Sequence, residues 1–225
     1  MTTAWANVKT YQFEAHTDIK KSGVQSLTLS WDTQGQIDLA GKKLYQTLTG
    51  DISGTGAQAQ IETYMVEGYQ YQKPGVGTSW FKSRLIGDTF EKQDLAGRQV
   101  DLLTDATKVE NAGAGEVNGI SCQKLQITPD TQKLLAFAEI GQARPQPQSD
   151  ATPTPVEVRN VNVTQCVALD THLPLKNEVH FVEVSEGVTT QVDIVTTIQK
   201  INEAINIQLP AETANAIELP TPPSS

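Results

Sequence analysis

Three histidines, two cysteines and one close pair of carboxylates are the residues of this chain whose types could do chemistry. His16, His172 and His180 fall on different strands or turns, without a second His or Cys at the short spacing of a zinc site, so metal binding is not expected. Asp101 and Asp105 stand four apart, as a general acid and base on one helix face would, but any solvated helix offers the same spacing. The Gly54-Thr55-Gly56 run resembles a phosphate loop in composition alone: it joins two strands, and no following helix supplies the N-terminus that binds the anion. The sequence has no Gly-x-Ser-x-Gly elbow, and neither cysteine has a histidine close by in sequence. Asn162-Val163-Thr164 matches the glycosylation sequon. The chain thus reads as a non-enzyme with no cofactor.

Cys122 and Cys166 bear instead on compartment. Cys122 lies on the strand face opposite Leu125 and Ile127, and Cys166 on the face opposite Val163, Val167 and Leu169, so both thiols leave the apolar face together. If the two strands pair, a cross-strand disulfide is feasible, and closing so long a loop contributes about 4 kcal/mol in the chain-entropy model. The alternative is a pair of free thiols in a reducing cell. The disulfide is the expectation, and with it an extracytoplasmic protein.

Composition narrows the partners. At 225 residues, 38% hydrophobic and 19% charged, the chain can bury a sizeable core, and no composition shift divides it, so a single domain over 1–225 is expected. Lys+Arg 17 against Asp+Glu 26 leaves a net charge of -9, which argues against nucleic acid and against electrostatic docking on anionic lipid. No apolar run approaches the roughly 20 residues of a membrane helix. Met1 to Trp5 lacks the basic start and apolar centre of a signal peptide, so the chain reads as cytosolic or as a mature form without its leader.

The elements that must position any site are mostly strands. Tyr11, Phe13, Ala15, Thr17 and Ile19 alternate with polar residues; Leu27, Leu29 and Trp31 continue the pattern through Ile37 and Leu39 after a Lys21-Ser22-Gly23 turn. Ala4 to Thr10 reads as the remnant of a helix. Leu44 and Leu48 mark a third strand, Ile61 and Met65 a fourth, and Tyr69 to Tyr71 and Trp80 to Lys82 two short ones. From Asp88 to Asp105, Leu95, Val100, Leu102, Leu103 and Ala106 recur at helical spacing, with Gly97 as a point of division into two short helices. A strand from Thr107 to Ala112 leads to an Asn118-Gly119 hairpin turn.

The central unit follows, a strand carrying Leu125 and Ile127 and then a helix announced by Thr128-Pro129-Asp130. Thr128 suits the N-cap and Pro129 the first helical position, and Leu134, Leu135, Phe137, Ala138 and Ile140 form the apolar side. The Pro, Gln and Ser content of Gln142 to Pro155 predicts a mobile loop. A second meander spans Val156 to Leu169, Leu175 to Val184 and Val188 to Ile201, with Val188, Val192, Ile194 and Ile198 sharing a face with Thr190 and Thr196. The tail after Asn202, apolar only at Ile205, Ile207 and Leu209, is expected along the sheet edge, fraying over about 210–225. Two short helices cannot cover a flat sheet of about ten strands, so the expected fold is mainly β: a curved antiparallel sheet forming an unclosed half-barrel, with helices lidding its concave face.

Tyr64-Met65-Val66-Glu67-Gly68-Tyr69-Gln70-Tyr71, followed by Trp80-Phe81-Lys82, resembles a signature of small prokaryotic lipoproteins of the LolA/LolB-like superfamily, which includes LppX/LprG-like carriers. Val117 to Cys122, the Thr128-Pro129-Asp130 helix start and Leu169-Asp170-Thr171-His172-Leu173-Pro174 continue the likeness in order, over Tyr11 to Leu209. The resemblance implies an exported protein, often tethered by an N-terminal lipidated cysteine, whose apolar cavity carries acyl chains or lipoproteins. It also implies an arginine or similar polar contact that holds the lid, which no motif assigns here. No lipobox cysteine precedes Thr2, so membrane contact would run only through an anchor absent from this chain.

Two functions follow. In the first, the protein is a non-enzymatic carrier, at the periplasm or cell surface, for a lipid or lipoprotein acyl chain. Its cavity would be lined by Leu29, Trp31, Leu44, Leu48, Ile61, Met65, Tyr69 and Phe81 from the first meander, Leu134 and Phe137 from the helix, and Val179, Phe181 and Ile194 from the second meander. In the second, the same side chains fill a core, and the domain is an interaction or sensor module whose partner is another envelope protein.

Overall fold

The computed structural model describes residues 2–23, 26–75, 77–138 and 156–220. The loop expected at Gln142 to Pro155, Ile140 on the preceding helix and the last five residues of the tail lie outside them.

The first meander is as the alternation predicts: β1 (Thr10–Ser22), β2 (Leu27–Asp38), β3 (Lys43–Asp51), β4 (Ala59–Val66), β5 (Tyr69–Lys73) and β6 (Phe81–Arg84). Helix α1 (Thr2–Trp5) precedes it, and a 3-10 turn (Glu91–Gln93) and helix α2 (Leu95–Thr104) follow it. Gly97 does not divide the helix. It occupies the first turn, where its N–H donates to the Asp94 carboxylate at 2.9 Å, so Asp94 is the N-cap and the helix runs on through Gly97. Next come β7 (Lys108–Val117) and β8 (Ile120–Thr128), joined at Asn118 and Gly119, whose φ values of 50° and 80° are those of a tight hairpin turn.

The central helix, α3 (Thr131–Ala138), starts three residues after the expected cap. Thr128 still belongs to β8, where its carbonyl accepts the N–H of Thr107 at 2.9 Å. The cap is Asp130, whose carboxylate accepts from Gln132 and Lys133 N–H at 2.9 and 3.1 Å. An acid at the position where the ladder has ended outcompetes a threonine whose backbone is committed to the sheet.

Strands β9 (Glu157–Ala168), β10 (Pro174–Ser185) and β11 (Val188–Gln199) form the second meander, and pairing of β1 with β11 joins the two into one sheet, ordered β12-β6-β5-β4-β3-β2-β1-β11-β10-β9-β8-β7. The sheet is an unclosed half-barrel. It is antiparallel except at one edge, where β12 (Ile217–Glu218) pairs parallel with β6. The tail reaches that edge by crossing an outer face. Ile207 is buried with Tyr64, Val66 and Trp80, and Ile205 and Leu209 pack against the same group, so the second half of β4, residues 63–66, is covered on both sides. At the opposite edge β7 is exposed along nearly its whole length.

Inside the curve lie two apolar clusters. One gathers Tyr11, Phe13, Ile37, Leu44 and Met65 under Phe90, Leu95 and Ala96; the other gathers Ile127, Val163, Val179, Phe181 and Val192 under Leu102, Leu134 and Phe137. Helix α2 therefore spans both clusters, with Leu95 and Ala96 over the first and Leu102 over the second, where α3 joins it. Cys122 and Cys166 form a disulfide between β8 and β9 with Cα atoms 5.5 Å apart. The thiols do leave the main apolar face, but into a small cluster of their own with Ala168 and Leu175. No helix among the described residues is long and apolar enough to cross a membrane.

Candidate functional site

Between the two apolar clusters lies a cavity of about 60 Å³. Its floor is the middle of the sheet: Ala15 and Thr17 of β1, Trp31 and Thr33 of β2, Gln46 and Leu48 of β3, Ile194 and Thr196 of β11. Its roof is Gln93 of the 3-10 turn, Leu95 at the start of α2 and Phe137 near the end of α3. The strand registers explain the space. Thr17 lies opposite Trp31 and Ile194, and Ala15 opposite Thr33 and Thr196, so small side chains meet at the centre of the sheet while Phe13 and Ile19 flank them. None of the residues around the cavity is charged.

Of the residues expected to line a ligand cavity, Trp31, Leu48, Phe137 and Ile194 face this space. Leu44 and Met65 lie in the first apolar cluster, and Leu134, Val179 and Phe181 in the second, all fully buried. Leu29, Ile61, Tyr69 and Phe81 are half-buried, and Tyr69 stacks at a tilt on Tyr71 with Lys82 5.7 Å from its ring centre. Ala15, Thr17, Thr33 and Thr196 were visible in the alternation as inward positions; what marks them is their small size, not their polarity.

Polar contacts fasten the roof. The Tyr11 hydroxyl donates to Asp94 at 2.7 Å and accepts from Ala96 N–H at 3.4 Å, which ties the start of α2 to β1. Arg98 donates to the carbonyls of Lys92, at 3.1 Å, and Ala136, and its guanidinium stands 5.8 Å from the Phe137 ring centre. It thus joins α2 to the C-terminal turn of α3. Lys133 and Asp105 add an exposed ion pair at 3.1 Å between the same helices, so Asp105 has a cross-helix cation as its partner.

Burial raises the Asp94 carboxyl above its usual range, outweighing the hydrogen bonds from Gly97, Tyr11 and Trp5 that favour its charged form. A raised carboxyl value means that the folded chain holds this proton more tightly than the unfolded chain. Its contribution to stability is therefore greatest below the ordinary carboxyl range and declines as pH rises through the raised value. Asp94→Asn keeps the cap and the acceptor for Tyr11 but cannot ionise, so its urea midpoint should match or exceed the parent's at pH 8 and lack this decline. Asp94→Ala should lose about 1–3 kcal/mol, from the missing cap and the unpaired Tyr11 hydroxyl. Equal losses in both variants would assign the effect to packing.

Two of the histidines, His16 and His180, are occupied on the outward side of the sheet. His16 stands opposite Asp32 on β2, with Nδ1 2.7 Å from the carboxylate, and that hydrogen bond raises its pKa. His180 stands opposite Asp193 on β11 at 2.6 Å. Among the described residues no three His, Cys, Asp or Glu side chains gather as a metal site.

One solved structure shares this architecture. LprF from Mycobacterium bovis aligns with a TM-score of 0.51 at 10% identity, over 93% of this chain and 93% of its own. The chain shares the fold of LprF. The lipoprotein LppX of Mycobacterium tuberculosis aligns at 0.46 with 16% identity, over 92% and 93% of the two chains. A LolA superfamily protein of Nitrosomonas europaea aligns at 0.29 with 8% identity, over 92% and 90%. No protein-family model and no curated protein sequence matches the chain. At 10% identity the likeness to LprF is one of fold, and the site must be argued from its own residues.

Proposed function

We propose that the protein is a non-enzymatic, extracytoplasmic binding protein that holds an acyl chain of a lipid or lipoprotein between the sheet and its two covering helices. The observation that carries this is the uncharged cavity at the centre of the concave face, bounded on either side by apolar clusters and roofed by Leu95 and Phe137. Chain methylenes contribute about 0.8 kcal/mol each on burial, so ten of them supply about 8 kcal/mol with no need for a charged contact. The disulfide supports an oxidising compartment.

The size of the cavity requires a moving roof. At about 60 Å³ it has room for a few waters, whereas small-molecule sites span roughly 300–1,000 Å³. Entry of a chain would part α3 from the sheet, and α3 is short, with contacts to α2 that are few and partly exposed. The same small volume favours the second reading, an envelope interaction or sensor domain with a filled core.

Native mass spectrometry of protein purified from its own host separates the two. A carrier should retain a co-purifying lipid and, once delipidated, bind a fluorescent acyl probe at micromolar concentration or below. A clean protein mass together with no probe binding would leave the interaction domain as the function.

A further inference from the structure

The inward face of the second meander carries two adjacent rows of side chains that differ sharply in chemistry. In one, Ile127, Val163, Val179 and Ile194 lie opposite one another across β8, β9, β10 and β11, all apolar. Two residues along each strand the next row reads Leu125, Gln165, Asn177 and Thr196. Gln165, Asn177 and Thr196 are 1%, 2% and 1% exposed, as deeply buried as their apolar neighbours. Above them Gln99 of α2 is 0% exposed, and its backbone carbonyl accepts from Gln165 Nε2 at 3.3 Å.

That bond is the exception. Both amide atoms of Gln99, both of Asn177, Oε1 of Gln165 and Oγ1 of Thr196 have no hydrogen-bond partner among the described residues. Buried polar atoms of this kind oppose folding, and an apolar side chain of similar shape would avoid the cost, as the neighbouring row does. Four such side chains at one place, three in register and one on the helix above, need a reason other than packing. Thr196 supplies it, because it forms part of the cavity wall and so opens the polar row onto that space.

We infer that Gln99, Gln165, Asn177 and Thr196 form the recognition site for an uncharged, hydrogen-bonding head group, an amide or a hydroxyl, on the bound acyl chain. This rests on the acyl-binding function proposed above. Amide N–H groups supply donors, while amide and hydroxyl oxygens supply acceptors, so the complementary head both donates and accepts. A carboxylate fits poorly. It would enter as a buried charge, and no residue lining the cavity is charged to meet it. The head sits beneath α2 and the chain runs under α3, so each helix covers a different part of one ligand.

Oleamide and oleate carry the same chain and differ in the head, so competition of each against a fluorescent acyl probe at pH 9 tests the inference directly. The parent protein should bind oleamide at least about tenfold more tightly than oleate, since a site built for hydrogen bonds rejects a head that cannot complete them. Asn177→Leu with Thr196→Val should lose most of that preference. Thr196→Val alone, which preserves shape, should reduce it, and a thermal melt of each variant confirms that it is folded. Equal binding of the two ligands, a preference for oleate, or a preference that survives in the folded variants would overturn the head-group site while leaving acyl binding intact. Failure of the probe and both ligands to bind the parent would remove the acyl-binding function and this inference with it.

Discussion

Loss of the Cys122–Cys166 bridge should lower unfolding free energy by about 4 kcal/mol, the largest single effect expected in this protein. The two cysteines are 44 residues apart, and in the chain-entropy model a loop of that length freed in the unfolded state is worth about that much. The position magnifies the consequence. The bridge spans β8 and β9, neighbouring strands that the sequence separates by α3 and the residues after it. It also anchors the exposed β7–β8 hairpin, which has no neighbour beyond β7 in the sheet. Urea melts of the parent and of the Cys122→Ala/Cys166→Ala variant, with and without reductant, give the number. The variant should ignore reductant and the reduced parent should approach it. A difference under about 1 kcal/mol would mean that the unfolded chain gains little freedom when the bridge opens. Two freely alkylated thiols in unreduced, denatured parent would remove the main internal support for an extracytoplasmic location.

Phe137→Ala should cost about 3 kcal/mol and at the same time improve acyl binding. The ring is 2% exposed and packs in the second cluster with Leu134, Val179, Phe181 and Ile194, which alone would place the loss in the usual range of roughly 3–5 kcal/mol for a buried Phe. One side of it already faces the cavity, so fewer contacts are lost and the low end applies. Arg98 loses the ring beneath its guanidinium as well, and so part of what holds α3 to α2. The freed volume adds to the cavity, and a chain that had to displace the ring no longer does. Thermal melts of both forms, with and without oleamide, would show a lower starting point and a larger ligand-induced rise for the variant. A loss near 5 kcal/mol with no ligand response in either form would count against the carrier and favour the filled-core interaction domain.

Much of this architecture is written in local patterns. Alternation at Tyr11 to Ile19, at Leu27 to Trp31 and at Val188 to Ile198 identifies inward faces because neighbouring side chains of a strand must point to opposite sides of the sheet. The Asn118-Gly119 turn is legible for an equally local reason, since two successive residues with positive φ favour these types. Helix starts were less legible. Thr128 and Asp130 are both good caps, and the choice between them fell to the ladder, which extends β8 through Thr128 and leaves the first free N–H groups to Asp130. Gly97 looks like a breaker until Asp94 is seen to use its N–H.

By itself, then, the sequence determined the strands, their faces, the existence of two short helices and the placing of both cysteines off the main apolar face, all consequences of a period or a turn within a few residues. Only the tertiary structure decided what those faces meet. Pairing of β1 with β11 brings Ala15 and Thr17 beside Ile194 and Thr196, nearly two hundred residues away, and so creates the space at the centre. Docking of α2 sets Gln99 over Gln165, and Arg98 against the end of α3. Asn177 carries no sign in its own neighbourhood that it will be buried beside two other unpaired polar side chains. Burial and hydrogen bonding depend on groups that register and helix docking bring together, and these contacts exist only once the sheet has curved around its helices.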